Sequence, residues 1–311
     1  MKTILLSVLM LGATLTADAQ ATVKAEFNKN DTTIYKDVMK MDMTLPMGQG
    51  KKKITITKNT RYVVLDKTAN GYKIEYNITD IIVDGDKEVA EQAQVMGNKY
   101  LKGVKMMLQT NTDGKVEKIL NLDEVAAAGS KAAIADIEEQ YKKNPMLEEV
   151  VPKAKILMAI SQQFEEKALI DNFNETTFFY YYGKDLKTNS KEDRIKQSMK
   201  LTSTYTVGYN GGNTVITTNM KDNMTENDVK KMMIDQMKKM GMGEEVTSQI
   251  EANWGQMKAM GMANISVNGT DNLTFLPNGW VQSISGKATT KMMGMDMKFD
   301  TQSEMTYKNW K

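Results

Sequence analysis

The sequence predicts an α+β fold: a strongly curved antiparallel β-sheet or half-barrel with two pairs of amphipathic helices packed on it. Three observations carry this expectation. Long segments of apolar and polar alternation open and close the chain, at Thr32 to Thr44 and at Lys287 to Tyr307. Turns at Asn70-Gly71, Asn210-Gly211 and Asn278-Gly279 separate neighbouring alternating segments, as antiparallel hairpins require. Two regions, 123–170 and 225–261, instead place their apolar residues at helical spacing.

Taken in order, residues 1–19 read as a signal peptide. Lys2 supplies the positive start, Ile4 to Leu15 an apolar run too short to span a bilayer, and Ala17-Asp18-Ala19 the small-x-small pattern a signal peptidase reads. Cleavage is expected before Gln20, with Ala19-Gln20-Ala21 as a second register, so the chain reads as exported to the periplasm or the extracellular space. Residues 20–311 then read as a single β-rich domain, because no linker rich in Pro, Gly or Ser divides them.

After the strand at Thr32 to Thr44, Pro46 to Gly50 interrupts, and Ile54 to Thr57, Tyr62 to Leu65 and Tyr72 to Val83 continue an antiparallel meander. A short helix near Lys87 to Tyr100 precedes a hairpin of Val104 to Gln109 and Val116 to Leu120. Asp123 is placed as the N-cap of a helix running to about Lys142, and Pro152 opens a second helix running to about Ile170. Phe178 to Tyr182 reads as a strand buried on both faces. Ile195 to Tyr209 reads as one long strand that turns into Thr214 to Met220. Thr225 with Asp228 resembles a capping box ahead of Val229, Met232, Met233, Met237 and Met240, and Val246, Ile250, Trp254, Met257 and Met260 form a second helical face. Ala263 to Val267, Leu273 to Leu276, Trp280 to Ser285 and Lys287 to Tyr307 close the chain as strands.

Composition excludes more chemistry than it suggests. Cysteine and histidine are both absent, which removes disulfides, Ser-His-Asp and Cys-His catalysis and almost every zinc or haem site. The 41 basic and 39 acidic residues are interspersed and leave a net charge of +2, so neither nucleic acid nor an anionic membrane is expected as a partner. The short cluster Lys51-Lys52-Lys53 reads as a solvated strand start. Beyond Leu15 no apolar stretch reaches the roughly 18 residues of a spanning helix, so no integral membrane span is expected. No phosphate-binding loop, dinucleotide fingerprint or nucleophile elbow occurs, and neither a cofactor nor an enzymatic activity is expected. A carboxylate pair assembled in space leaves no sequence trace, which keeps a carboxylate-dependent hydrolase as an alternative.

Methionine is the unusual residue, with 27 in the chain. It clusters at Met39/Met41/Met43/Met47, Met232/Met233/Met237/Met240/Met242, Met257/Met260/Met262 and Met292/Met293/Met295/Met297. Spacing of two in the strands and three to four in the helices puts each cluster on one face. Three readings fit. The plainest is packed core, since pliable thioethers fill irregular gaps. A second is a Met-lined cavity for a hydrophobic or lipid-like ligand, formed by Met41, Met43, Met295 and Met297 on the strands and Met233 and Met237 on the helices. A third is Cu(I) or Ag(I) binding by Met41, Met43, Met295 and Met297, which would rest on thioethers alone.

The order of these features resembles an uncharacterised family of exported β-rich proteins from the Bacteroidetes, a domain of unknown function. The resemblance is carried by the leader, the early Met-rich strand, the passage from Lys102-Gly103-Val104 through Thr112-Asp113-Gly114-Lys115-Val116 to a helix, and the late Asn278-Gly279-Trp280 hairpin. It implies a periplasmic or surface setting and assigns no functional residue. In outline the pattern is also similar to the half-barrel lipid carriers of the periplasm. The resulting expectation is a non-enzymatic exported protein that holds a hydrophobic small molecule or lipid.

Overall fold

The computed structural model describes residues 19–46, 50–146, 148, 152–196, 199–239, 244–259, 261, 263–292 and 294–310. The leader before Ala19, and Met47, Met240, Met242, Met260, Met262 and Met293, lie outside the described residues. The fold is α+β. It is built on one antiparallel sheet of eleven strands, β2 (Thr32–Thr44), β3 (Lys51–Thr68), β4 (Gly71–Gly85), β5 (Lys105–Thr110), β6 (Val116–Ile119), β8 (Lys191–Lys196), β9 (Met199–Asn210), β10 (Asn213–Asp222), β11 (Ser266–Phe275), β12 (Val281–Met292) and β13 (Met295–Asn309). Across the sheet the order is β6-β5-β4-β3-β2-β13-β12-β11-β10-β9-β8. The first and last long strands, β2 and β13, are therefore central neighbours, and the two edges do not join into a barrel. A short pair, β1 (Gln20–Thr22) with β7 (Asp185–Lys187), stands apart from the main sheet.

The helices are α1 (Lys87–Tyr100), α2 (Leu122–Lys143), α3 (Lys153–Gln163), α4 (Glu166–Thr176), α5 (Glu226–Lys239), α6 (Glu244–Ala252) and α7 (Trp254–Ala259). Three of their amide side chains occupy sheet backbone that no strand reaches. Gln94 of α1 accepts from Val83 N–H (2.6 Å) and donates to Ile81 C=O (2.8 Å) where β4 outruns β5. Asn121 does the same for Met107 N–H (2.8 Å) and Lys105 C=O (3.0 Å) where β5 outruns β6. Asn174 of α4 engages both backbone groups of Val116 in β6, at 3.2 and 2.7 Å. A stepped open edge would template pairing with another chain, and these amides stand in for the missing strand.

Because side chains alternate across a strand and directly paired residues share a face, the register divides the sheet into a core face and a water face. At one end the core face curls around Tyr35, Tyr62, Val64, Ile74, Leu108, Val207, Ile216 and Phe275, all buried in one cluster. Residues 23–31 run through this end as a plug. Ala25 N–H donates to Asp113 C=O (2.8 Å) and Glu26 N–H to Asn278 C=O (3.0 Å), and Phe27 is fully buried against Trp280, with ring centroids 4.0 Å apart. The buried tyrosines find carbonyl partners: Tyr35 on Val281 (2.8 Å), Tyr72 on Ala25 (2.7 Å) and Tyr182 on Gly279 (2.9 Å). Gly279 has φ +87°, and a Cβ there would lie 2.2 Å from Lys24 C=O, so the plug and the late hairpin close up only over glycine.

Several sequence expectations are corrected. Phe178–Tyr181 is a 3-10 turn, not a strand, with Thr177 Oγ1 accepting from Phe179 N–H (3.2 Å). Three residues per turn send these aromatic side chains out in different directions, which a run enclosed by core on all sides needs and a strand cannot supply. The segment Ile195 to Tyr209 is the hairpin β8–β9 rather than one strand. The second helix divides into α3 and α4, Glu165 between them being extended, and the Phe164 ring seats over Gly129 of α2. The first residue of α2 is Leu122, so Asp123 lies inside the first turn, and Asn121 takes the capping position while its side chain serves β5. The Thr225 capping box forms as expected, with Thr225 N–H on Asp228 Oδ2 (2.9 Å) and Asp228 N–H on Thr225 Oγ1 (3.2 Å).

Candidate functional site

The register brings the four strand methionines together. Met43 of β2 lies directly opposite Met297 of β13, Met41 opposite Phe299, and Met295 opposite Met292 of β12. Met39, Ile54, Ile56 and Val83 continue the same face across β2, β3 and β4. This is the core face of the sheet at the end away from the aromatic cluster. Met39, Met41, Met43, Met292, Met295 and Met297 are each half-buried, and so are Ile56 and Phe299. Five strands contribute, which at about 4.8 Å per strand step makes an apolar strip roughly 19 Å wide.

Met233 and Met237 share one stripe of α5, Met233 buried and Met237 half-buried. That helix packs on α6, and its Glu226 accepts from Trp254 Nε1 (3.0 Å) and Lys258 Nζ (2.6 Å) of α7. Lys200 of β9 pairs with Asp228 at its N-terminus. Met233 and Met237 are thus carried by a helix, and Met41, Met43, Met295 and Met297 by the sheet.

A concavity of about 1170 Å³ lies on the opposite, water face. Its described lining includes Met220 but none of Met41, Met43, Met233, Met237, Met295 or Met297, so this groove is not the expected Met-lined cavity. The cause is the twist of a large sheet, which curls one face inward at one end and the other face at the other end. Lys53 of β3 and Lys191 of β8 line the same groove. In a flat sheet seven strand steps would set them about 34 Å apart.

A third centre lies under the aromatic turn. Glu192 of β8 accepts from Tyr180 OH and Tyr205 OH (2.7 Å each) and from Lys184 Nζ (2.6 and 2.9 Å), and the two tyrosine hydroxyls are 2.7 Å apart. Lys184 Nζ lies 3.7 Å and the Arg194 guanidinium carbon 4.2 Å from the Tyr180 ring centre, both in cation–π range. Burial alone would raise the Glu192 carboxyl, but the hydrogen bonds from Lys184, Tyr205 and Tyr180 together hold it below its ordinary value. Burial lowers Lys184 despite the carboxylate beside it, and it raises both tyrosines. Beside this network a pocket of about 60 Å³ is lined by Arg194, Lys196, Asp271 and Glu175 among others. Burial lowers Lys196 and raises Asp271. A Cβ on Gly286, the cross-strand partner of Asp271, would sit 2.3 Å from its carboxylate, so glycine makes room for that group.

Sequence reasoning missed both the groove and this network. The members of the network, from Tyr180 to Tyr205, sit in a turn, a loop and two strands, and no spacing rule links them. Of the groove's lysines the sequence reading singles out only Lys53, within the solvated Lys51-Lys52-Lys53 cluster, and nothing in it marks their face as concave.

Among the described residues, no group of three or more acidic side chains is placed to hold a metal ion, and no helix is long and apolar enough to cross a membrane. The chain matches no protein-family model and no curated protein. Among solved structures it is similar to a lipovitellin structure concerned with lipid–protein interactions, at 10% identity and TM-score 0.43 over 92% of this chain. The chain spans 26% of that lipovitellin chain. It is also similar to DynF from the dynemicin biosynthesis pathway of Micromonospora chersina, at 6% identity and TM-score 0.20 over 93% of this chain and 86% of that one. Both likenesses are too slight to carry a function across.

Proposed function

We propose that this chain is an exported, non-enzymatic binding protein that holds an apolar, lipid-like ligand against the methionine face of its sheet. The observation that carries the reading is the cross-strand placement of Met43 on Met297, Met41 on Phe299 and Met295 on Met292, all half-exposed. A contiguous apolar strip left in contact with water is costly unless something covers it, and thioethers adapt to varied apolar shapes. The strip is continuous with Ile54, Ile56, Val83 and Phe299, which an apolar ligand uses and soft-metal chelation does not. With His and Cys absent, acid–base chemistry falls to carboxylates, lysines and tyrosines. The two carboxylates that line the small pocket, Glu175 and Asp271, share it with Arg194 and Lys196 in a space of about 60 Å³, well below the size of a substrate-binding cleft.

Titration with a dansylated fatty acid tests this. Saturable binding is expected, and Met297→Glu should weaken it by about tenfold or more, because a carboxylate would have to be desolvated under the ligand. Half-burial predicts that the variant keeps its fold, read by circular dichroism. No saturable binding, or binding unchanged in Met297→Glu, removes the reading. Anaerobic Cu(I) titration in place of the fatty acid decides for the metal alternative if it alone responds to Met297.

Export is proposed with cleavage before Gln20. Gln20 pairs with Lys187 and Ala21 with Leu186 in the β1–β7 ladder, so cleavage after Ala21 would remove two of the three paired residues of β1. Expression in a Gram-negative host should yield periplasmic protein whose intact mass corresponds to a chain starting at Gln20. A cytoplasmic product that retains Met1 to Ala19 would refute export.

A further inference from the structure

The groove on the water face has a composition of its own. Its described lining holds six lysines and three aspartates, with threonine and asparagine between them. Asp42 is the cross-strand neighbour of both Lys53 and Lys298, and Asp300 of both Lys40 and Lys287. Among the described residues only Lys53 of the six is salt-bridged, to Asp42 at 3.5 Å. The third aspartate, Asp222, accepts from Val267 N–H at 2.8 Å. The groove therefore carries a surplus of positive charge although the whole chain is close to neutral. Between the lysines, hydroxyl and amide groups form cross-strand pairs such as Thr270 with Asn219, at 2.8 Å.

We propose that this groove binds an acidic polysaccharide, with the lysines on its carboxylate or sulfate groups and the threonines and asparagines on its hydroxyls. Concave walls with one dominant sign of charge focus the field on a ligand that enters them. The curl fits a chain lying along the groove and does not fit a flat membrane, whose headgroups could not reach its floor. Nucleic acid is disfavoured by the lining itself. Among the described residues it contains no arginine, and its one aromatic residue there, Phe299, belongs by register to the methionine face, so none of these offers a ring to a base. The methionine strip lies on the other side of the same strands, so occupation of one site leaves the other open and the two proposals stand or fall separately.

The test uses full-length mature protein and immobilised heparin, polygalacturonate, dextran, single-stranded poly-dT and phosphatidylglycerol vesicles. Binding to heparin or polygalacturonate is expected, at least about tenfold tighter than to dextran, and weakening steeply between 0.1 and 0.5 M salt as screened charges do. The response of heparin against polygalacturonate tells sulfate from carboxylate. Lys221→Gln combined with Lys287→Gln and Lys298→Gln should weaken binding by about tenfold or more, and because these side chains are exposed and no like charges are set opposite Asp42 or Asp300, the variant should keep its melting temperature and its fatty-acid binding. The proposal is overturned if neither acidic glycan binds, if dextran binds equally, if poly-dT or the vesicles bind more tightly than both glycans, or if the triple variant binds as well as the parent.

Discussion

Trp280→Ala is expected to lower stability by about 3–5 kcal/mol, the range for emptying a large aromatic site in a core. Trp280 is fully buried, stacks on Phe27 with ring centroids 4.0 Å apart, and has Tyr62 and Trp310 within 6.2 Å. Its ring holds the residue 23–31 plug against the late hairpin, so the cavity would open between two segments distant in sequence and could not collapse locally. The indole N–H is buried and has no hydrogen-bond partner among the described residues. Trp280→Phe therefore removes an unsatisfied donor along with some volume and should cost far less, about 1–2 kcal/mol. Urea titrations of both variants measure this, and a loss below about 1.5 kcal/mol for the alanine variant would contradict the plug as a structural element. Phe27→Ala combined with Trp280→Ala should cost less than the sum of the two, because each deletion removes the same stacked contact.

What the sequence reveals of this fold is what short-range periodicity can encode. The alternation in Thr32–Thr44 predicted one central strand and the Thr225 box the start of α5, because each signal lies within a few residues of the structure it specifies, whereas Lys287 to Tyr307, read as a single strand, is divided between β12 and β13 of a hairpin. Phe178 to Tyr181 misled for the same reason. Aromatic content favours strand locally, yet the run is enclosed by core that arrives from β2, β3, β11 and α4, and tertiary packing overrides propensity. Gln94, Asn121 and Asn174 are ordinary polar residues in sequence. Only the stepped edge of the folded sheet turns them into surrogate strand partners.

The candidate sites divide along the same line. Spacing of two placed Met41 with Met43 and Met295 with Met297, but nothing in the sequence states that β2 and β13 are neighbours, which is what sets Met43 on Met297. The groove was further from view, since its lysines are scattered over six strands with no motif among them and its concavity arises from the accumulated twist of eleven strands. One geometric fact joins the two proposals. Successive residues of the same strand serve opposite ligands, as Met41 and Met43 flank Asp42, and Met297 and Phe299 flank Lys298. A charge reversal in the groove and a charge insertion on the strip can thus be made one residue apart, and a one-residue register slip would exchange the chemistry of the two faces.

Glu192→Ala should be the most damaging loss of a single polar side chain, about 2–3 kcal/mol at neutral pH, with the upper part of the usual range for broken charged pairs discounted because the carboxylate is 37% exposed. It leaves Lys184 without its carboxylate and two tyrosine hydroxyls with only each other. The sign with pH follows from the carboxyl being held below its ordinary value of 4.5. A depressed carboxylate stabilises fully above the unfolded value, and this contribution is lost as pH falls through the folded one. The gap in urea midpoint between parent and Glu192→Ala should accordingly be widest at neutral pH and shrink below 4.5, where protons titrate the parent's network. A gap that stays constant into acid would mean that the side chain stabilises by packing alone. Lys184→Met in the Glu192→Ala background separates the remaining terms. If the stranded ammonium is the main cost, removing it restores part of the loss; if the tyrosine hydroxyls are, it restores none, and Tyr205→Phe does so instead.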